Sequence, residues 1–220
     1  MNGKVILTNI IIVASIAACS GFSNDKQENM YEVIEKTEGD IKYPQIDFLS
    51  EDDSKKEEKI NSLILNTLYG PYDFLSDPEI SASIAYEVTY NDENYLSICY
   101  RGTYTDKSSY AGDVGYAITI DLNNEMIVEL EDIIEDEGRN EIKTKIEKGE
   151  FETEYGVITS DNKYIDVNSI IDEQPAVNSE SEESQYYFFL RDKKIGIIII
   201  GLPRYGGNYS IINVNYSWMP

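Results

Sequence analysis

Four consecutive isoleucines, Ile197 to Ile200, lie inside the stretch "YYFFLRDKKIGIIIIGL" (residues 186–202). Side chains of a strand alternate between its two faces, so an unbroken apolar run needs cover on both sides. The run is far too short to cross a membrane as a helix. It is therefore expected as a strand buried between layers, paired with "YYFFLR" around Asp192 to Lys194.

The rest of the chain supplies the layers. In "SIAYEVTY", Ile84, Tyr86, Val88 and Tyr90 alternate with Ala85, Glu87 and Thr89, the pattern of a half-buried strand. "NDEN" is a turn and "YLSICYRGTYT" the returning strand. Tyr116, Ile118, Ile120 and Leu122 alternate in a third strand. Asn123 and Asn124 form the next turn because Asn tolerates positive φ, and Met126, Val128 and Leu130 continue beyond it. Before these strands, "MYEVIEKTE" and "IKYPQIDFL" read as extended, with Pro44 suited to a sheet edge. Ile60, Leu63, Ile64 and Leu68 share one helical face, Ser54 and Glu57 have capping-box spacing, and Gly70 and Pro71 stop the helix. "ELEDIIEDEGRNEIKTKIEKGEF" is a second helical region broken at Gly138. Residues 149–185 read as irregular, and "NYSIINVNYSW" as a last strand. The order implies an α+β fold, a mostly antiparallel sheet with two main helices packed on it.

The N-terminus reads as a processing signal. "MNGKVILTNIIIVASIAACS" has one positive residue, Lys4, then an apolar run, then Ala17 and Ala18 before Cys19. The ending "IAAC" resembles the bacterial lipobox, with Ile16 in place of the usual Leu. That resemblance implies cleavage before Cys19, diacylglycerol on its sulfur, and a chain anchored to the outer face of the cell membrane. The expected organisation is residues 1–18 as signal peptide, 19–30 as flexible tether, 31–112 as a first α+β subdomain and 113–220 as a second.

Composition removes whole classes of chemistry. There is no His, so Ser-His-Asp catalysis and imidazole metal ligation are excluded. The cysteines are Cys19 and Cys99, with no CxxC, which excludes thiolate zinc and dithiol redox sites. Cys99 is expected as a small buried apolar residue. With 18 Lys and Arg against 41 Asp and Glu, the net charge is −23, which argues against nucleic acid and permits a basic partner. No cofactor is expected.

Two blocks carry a family resemblance. "YPQI", "KINSLI" and "YEVTYNDENYLSICYRGTY" resemble the first of two adjacent extracellular domains of unknown function. "YAITIDLNNEMIVELEDII" with "YFFLRDKKIGIIIIGLPRYGGNYSIINVNYSW" resembles the second. The pair occurs in the ectodomains of RsiV-type anti-sigma factors, which bind lysozyme, and N-terminal to PdaC-type peptidoglycan deacetylases. The resemblance covers roughly residues 31–217 and implies extracellular ligand binding. Many relatives carry Gly-Ala-His where this chain has Ala111, Gly112 and Asp113, so whatever that His does is absent here.

Three functional readings remain. A non-catalytic surface module would bind a cationic protein such as lysozyme, or a wall glycan. Tyr86, Tyr100, Tyr104 and Tyr116 would form its platform, although alternating Tyr also simply cover a sheet face; Arg204 and Tyr205 of "LPRYGGNYS" are separate binding candidates in a connection that also reads as a plain hairpin linker. A carboxylate-dependent hydrolase would need two acids opposed across a cleft. A calcium-stabilised module would need oxygen ligands. For the last, "DLNNEMIVELED" places Asp121, Asn123 and Glu125 at alternate positions, but Met126, Ile127 and Val128 suit a returning strand instead. Asp161 and Asp166 could share an ion, but a turn is the preferred reading.

Overall fold

The computed structural model describes residues 31–68, 70, 72–155, 185–200 and 209–217. Among them are two sheets, each backed by helix on its outer face. The first sheet holds β1 (Tyr31–Glu38), β2 (Ile41–Phe48), β3 (Ser81–Asn91), β4 (Tyr95–Thr105), β5 (Ala111–Asp121) and β6 (Met126–Ile127), in that order. All neighbours are antiparallel except β2 and β3, which meet at Ile41 and Ile84. A parallel pair needs a crossover, supplied here by α1 (Ser54–Asn66). The second sheet holds β7 (Glu152–Tyr155), β8 (Gln185–Arg191), β9 (Lys194–Ile200) and β10 (Tyr209–Asn215), in the order β7-β10-β9-β8. Between the sheets in sequence lie α2 (Leu130–Ile133) and α3 (Asp136–Glu147).

The α+β expectation holds, with two sheets where one was expected. The isoleucine run explains why. On β9, Ile195, Ile197 and Ile199 face α3, packing with Ile142 and Ile146, while Ile198 faces the first sheet with Cys99 and Ala117. Ile60, Ile64 and Leu68 of the α1 region cover the far face of the first sheet over Ile98, Tyr100, Tyr116 and Ile118. Small residues let the sheets approach. A Cβ on Gly115 would run into the ring of Tyr209. Between the layers, burial pushes the Cys99 thiol up to about 12, in keeping with a packing role.

Several local expectations are corrected. Ser54 is the first helical residue, not the cap, and Glu57 reaches away from the helix to accept Phe48 N–H at 3.0 Å. Gly138 lies inside α3; the break comes at Ile134, whose extended backbone separates α2 from α3. Gly138 serves packing, since Tyr216 closes over it. Residues 152–155, expected as irregular, form β7 on β10. At 123–125 the positive φ falls on Glu125 (54°), not on the asparagines. The division expected between residues 112 and 113 falls inside β5. Among the described residues, no helix is long and apolar enough to cross a membrane.

Candidate ligand-binding site

Tyr86, Tyr100 and Tyr116 are cross-strand neighbours on β3, β4 and β5. Tyr100 and Tyr116 are both 0% exposed, which corrects the expectation of an open platform. Their rings stack at 4.6 Å beneath α1, and the Tyr116 hydroxyl donates to Leu68 C=O. The alternating pattern is the same for a wet and a covered face, and α1 covers this one. Tyr86 and Tyr104 are half-buried, and Tyr104 packs against Tyr110 at 6.2 Å. Cys19, Arg204 and Tyr205, like Asp161 and Asp166, lie outside the described residues.

What the structure assembles instead lies at the outer edge of β5. The peptide groups of alternate residues there point away from β4. At Gly115 the Tyr72 hydroxyl takes both roles, accepting from Gly115 N–H at 3.2 Å and donating to its C=O at 3.3 Å. At Thr119 the C=O accepts from Val128 N–H at 3.0 Å. Ala117 lies midway and points the same way. The β5–β6 register, Asp121 on Met126 and Ile120 on Ile127, would place Leu130 opposite it. Leu130 instead starts α2, and no described residue pairs with the Ala117 peptide groups.

A second strand edge faces the same space. Leu190 N–H points off the free side of β8 and donates to Ser97 Oγ at 3.0 Å; Ser97 in turn bonds Thr119 at 2.9 Å. Phe188, two residues back, presents its peptide groups on that side, again with no described partner. Between the two edges is a pocket of about 280 Å³. It is closed by Asn66 and Thr67 from the end of α1, and by Ile127, Val128 and Glu129 where β6 leaves the sheet.

Glu129 is the one acid among the described lining residues, which include no Lys or Arg. Desolvation, with Asp132 and Glu131 nearby, raises its carboxyl above the ordinary range. Its N–H donates to Asp132 Oδ2 at 2.8 Å, which fixes the turn into α2. Tyr187 projects from β8 near Tyr72 and Glu129; burial raises its phenol above the usual value, and that of Tyr72 to about 12.

Glu129 also caps α2, in a reciprocal capping box with Asp132, and the other charged groups are committed to structure as well. Arg101 and Arg191 bridge Glu87 and Glu154 across the two sheets: Arg101 to Glu87 at 2.5 Å, Arg191 to Glu154 at 2.9 Å and to Glu87 at 3.2 Å. Asn213 adds a bond to Glu154 at 2.9 Å, and the carboxyl of Glu154, partly desolvated, is still held below its ordinary range by these donors. Asp121 Oδ1 accepts from Asn123 N–H at 2.8 Å and Asn124 N–H at 2.9 Å, so it closes the turn as the strand reading expected. Among the described residues, no three His, Cys, Asp or Glu side chains cluster as a metal would need. No protein-family model and no curated protein matches the chain.

Sequence reasoning missed Ala117, Phe188, Tyr72, Tyr187 and Glu129. The one available signal was the shortness of the apolar stretch between Asn124 and the acidic run at 129–132, too brief to pair the length of β5.

Proposed function

We propose that this protein is a lipid-anchored surface module that binds a cationic protein ligand without catalysing a reaction on it. The observation that carries this reading is the acidic face of α2 and α3. Residues 129–137 hold six acids and no base. Glu131, Asp132, Glu135, Asp136, Glu137 and Glu141 are all exposed there. Arg139 joins Glu131 at 3.2 Å and also meets Asp136, and Lys145 joins Glu141 at 2.7 Å; against these two bases and Lys143 the six acids keep an excess of three negative charges. Such a field steers a basic partner inward within roughly 8 Å at physiological salt. The resemblance to lysozyme-binding ectodomains and the lipobox-like "IAAC" at Cys19 support the same reading.

Binding of basic lysozyme, measured by biolayer interferometry at low and physiological salt, tests the ligand. Saturable binding that weakens about tenfold in the Glu135→Lys/Glu137→Lys double variant is expected, a change of about 1.4 kcal/mol. No binding at either salt removes this ligand class. Anchoring is read separately, as membrane retention that is lost in Cys19→Ser.

A further inference from the structure

The pocket between β5 and β8 has a chemistry that the acidic face does not share. We infer that it binds a short extended peptide, one or two residues long, whose backbone completes the β5 edge at Ala117 and whose ammonium group meets Glu129.

Hydrogen-bond geometry is the first support. Ala117 offers an N–H and a C=O on one edge, and the pairs on either side of it, Gly115 and Thr119, are already closed. An antiparallel residue pairs through its own N–H and C=O, so a single ligand residue satisfies Ala117. Phe188 presents a second donor and acceptor from the opposite side. Buried peptide groups are rarely left unpaired, and Ala117 is only 4% exposed. Size is the second support. At about 280 Å³ the pocket is at the small end of ligand sites, room for a dipeptide rather than a long strand. Charge is the third. Glu129, with no cation among the described lining residues, favours an ammonium over a carboxylate, and the apolar walls of Ile118, Val128 and Phe188 accept small side chains.

The test uses L-alanyl-L-alaninamide on the full mature chain, followed by amide NMR. Saturable binding is expected, with the Ala117 N–H resonance moving and its hydrogen exchange slowing. The N-acetylated probe, which lacks the ammonium, and the ester analogue, which lacks the internal N–H, are each expected to bind about tenfold more weakly. Glu129→Gln is expected to erase the difference between free and acetylated probe. Absence of saturable binding, shifts that bypass Ala117, or equal affinity for any analogue and the parent probe overturns the inference. The analogue series on the unaltered chain decides the matter even if the variant folds poorly. Lysozyme binding at the acidic face is read independently, so failure of one proposal leaves the other standing.

Discussion

The outer edges of β2 and β5 pose the same physical problem and solve it differently. Both turn peptide groups away from their paired neighbour, and both are buried. On β2 the edge is closed along its length. The Asn61 amide bonds Ile46 N–H and C=O, each at 2.8 Å, Glu57 takes Phe48 N–H, and Pro44, two residues before Ile46, has no N–H to satisfy. Pro44 is thus tolerated in an interior strand because β2 parts from β3 after Ile41. On β5 the closure is interrupted: Tyr72 covers Gly115, Val128 covers Thr119, and Ala117 between them has no backbone partner among the described residues. An edge closed by side chains is scaffold, whereas a one-residue gap walled by aromatic rings and a carboxylate is a binding opportunity.

The largest effect should come from breaking the closed edge. Asn61→Leu strands both peptide groups of Ile46, which is 1% exposed, and is expected to cost about 3 kcal/mol. The urea midpoint should fall at an unchanged m value. Widening the open edge should cost less. Tyr72→Phe removes both bonds to Gly115 but leaves the ring in place, for about 2 kcal/mol. Exchange of the Gly115 amide should then become as fast as that of Ala117.

Two carboxylates, Glu154 on β7 and Glu129 at the start of α2, should differ in the sign of their pH dependence. Glu154, held low by Asn213 and Arg191, stabilises the fold above the ordinary Glu range, and that contribution is lost as pH falls through its depressed folded value. Glu154→Gln is expected to cost about 1 kcal/mol at neutral pH, since the ion network is partly exposed and screened, and less as the medium is acidified. Glu129 is raised, so its ionisation opposes folding as pH climbs through its folded value. Glu129→Gln should therefore raise Tm by on the order of 1 °C at neutral pH, with the gain vanishing below the ordinary Glu range. A fall in Tm at neutral pH would mean that the capping role of Glu129 at the start of α2 outweighs the cost of burying its charge.

Much of the frame was legible in the chain. Alternation located β3, β4 and β5, and Asp121 closes the turn that the strand reading placed after β5. The site was not legible, and Asn61 shows why. On the helix it lies beside the apolar stripe and looks like a solvent-facing polar residue, yet its amide serves a strand fifteen residues earlier. Tyr100 and Tyr116 fail in the opposite direction, since nothing in their spacing says that α1 covers them.

The sequence by itself determined the longer strands other than β7, the turns between them and the need for cover on both faces of β9, because periodicity and side-chain-to-backbone bonds act within a few residues. Only the tertiary structure decided which strand edges are closed and where one stays open. The closing groups come from far along the chain, Tyr72 to Gly115 across 43 residues and Ser97 to Leu190 across 93, and no local pattern encodes that meeting.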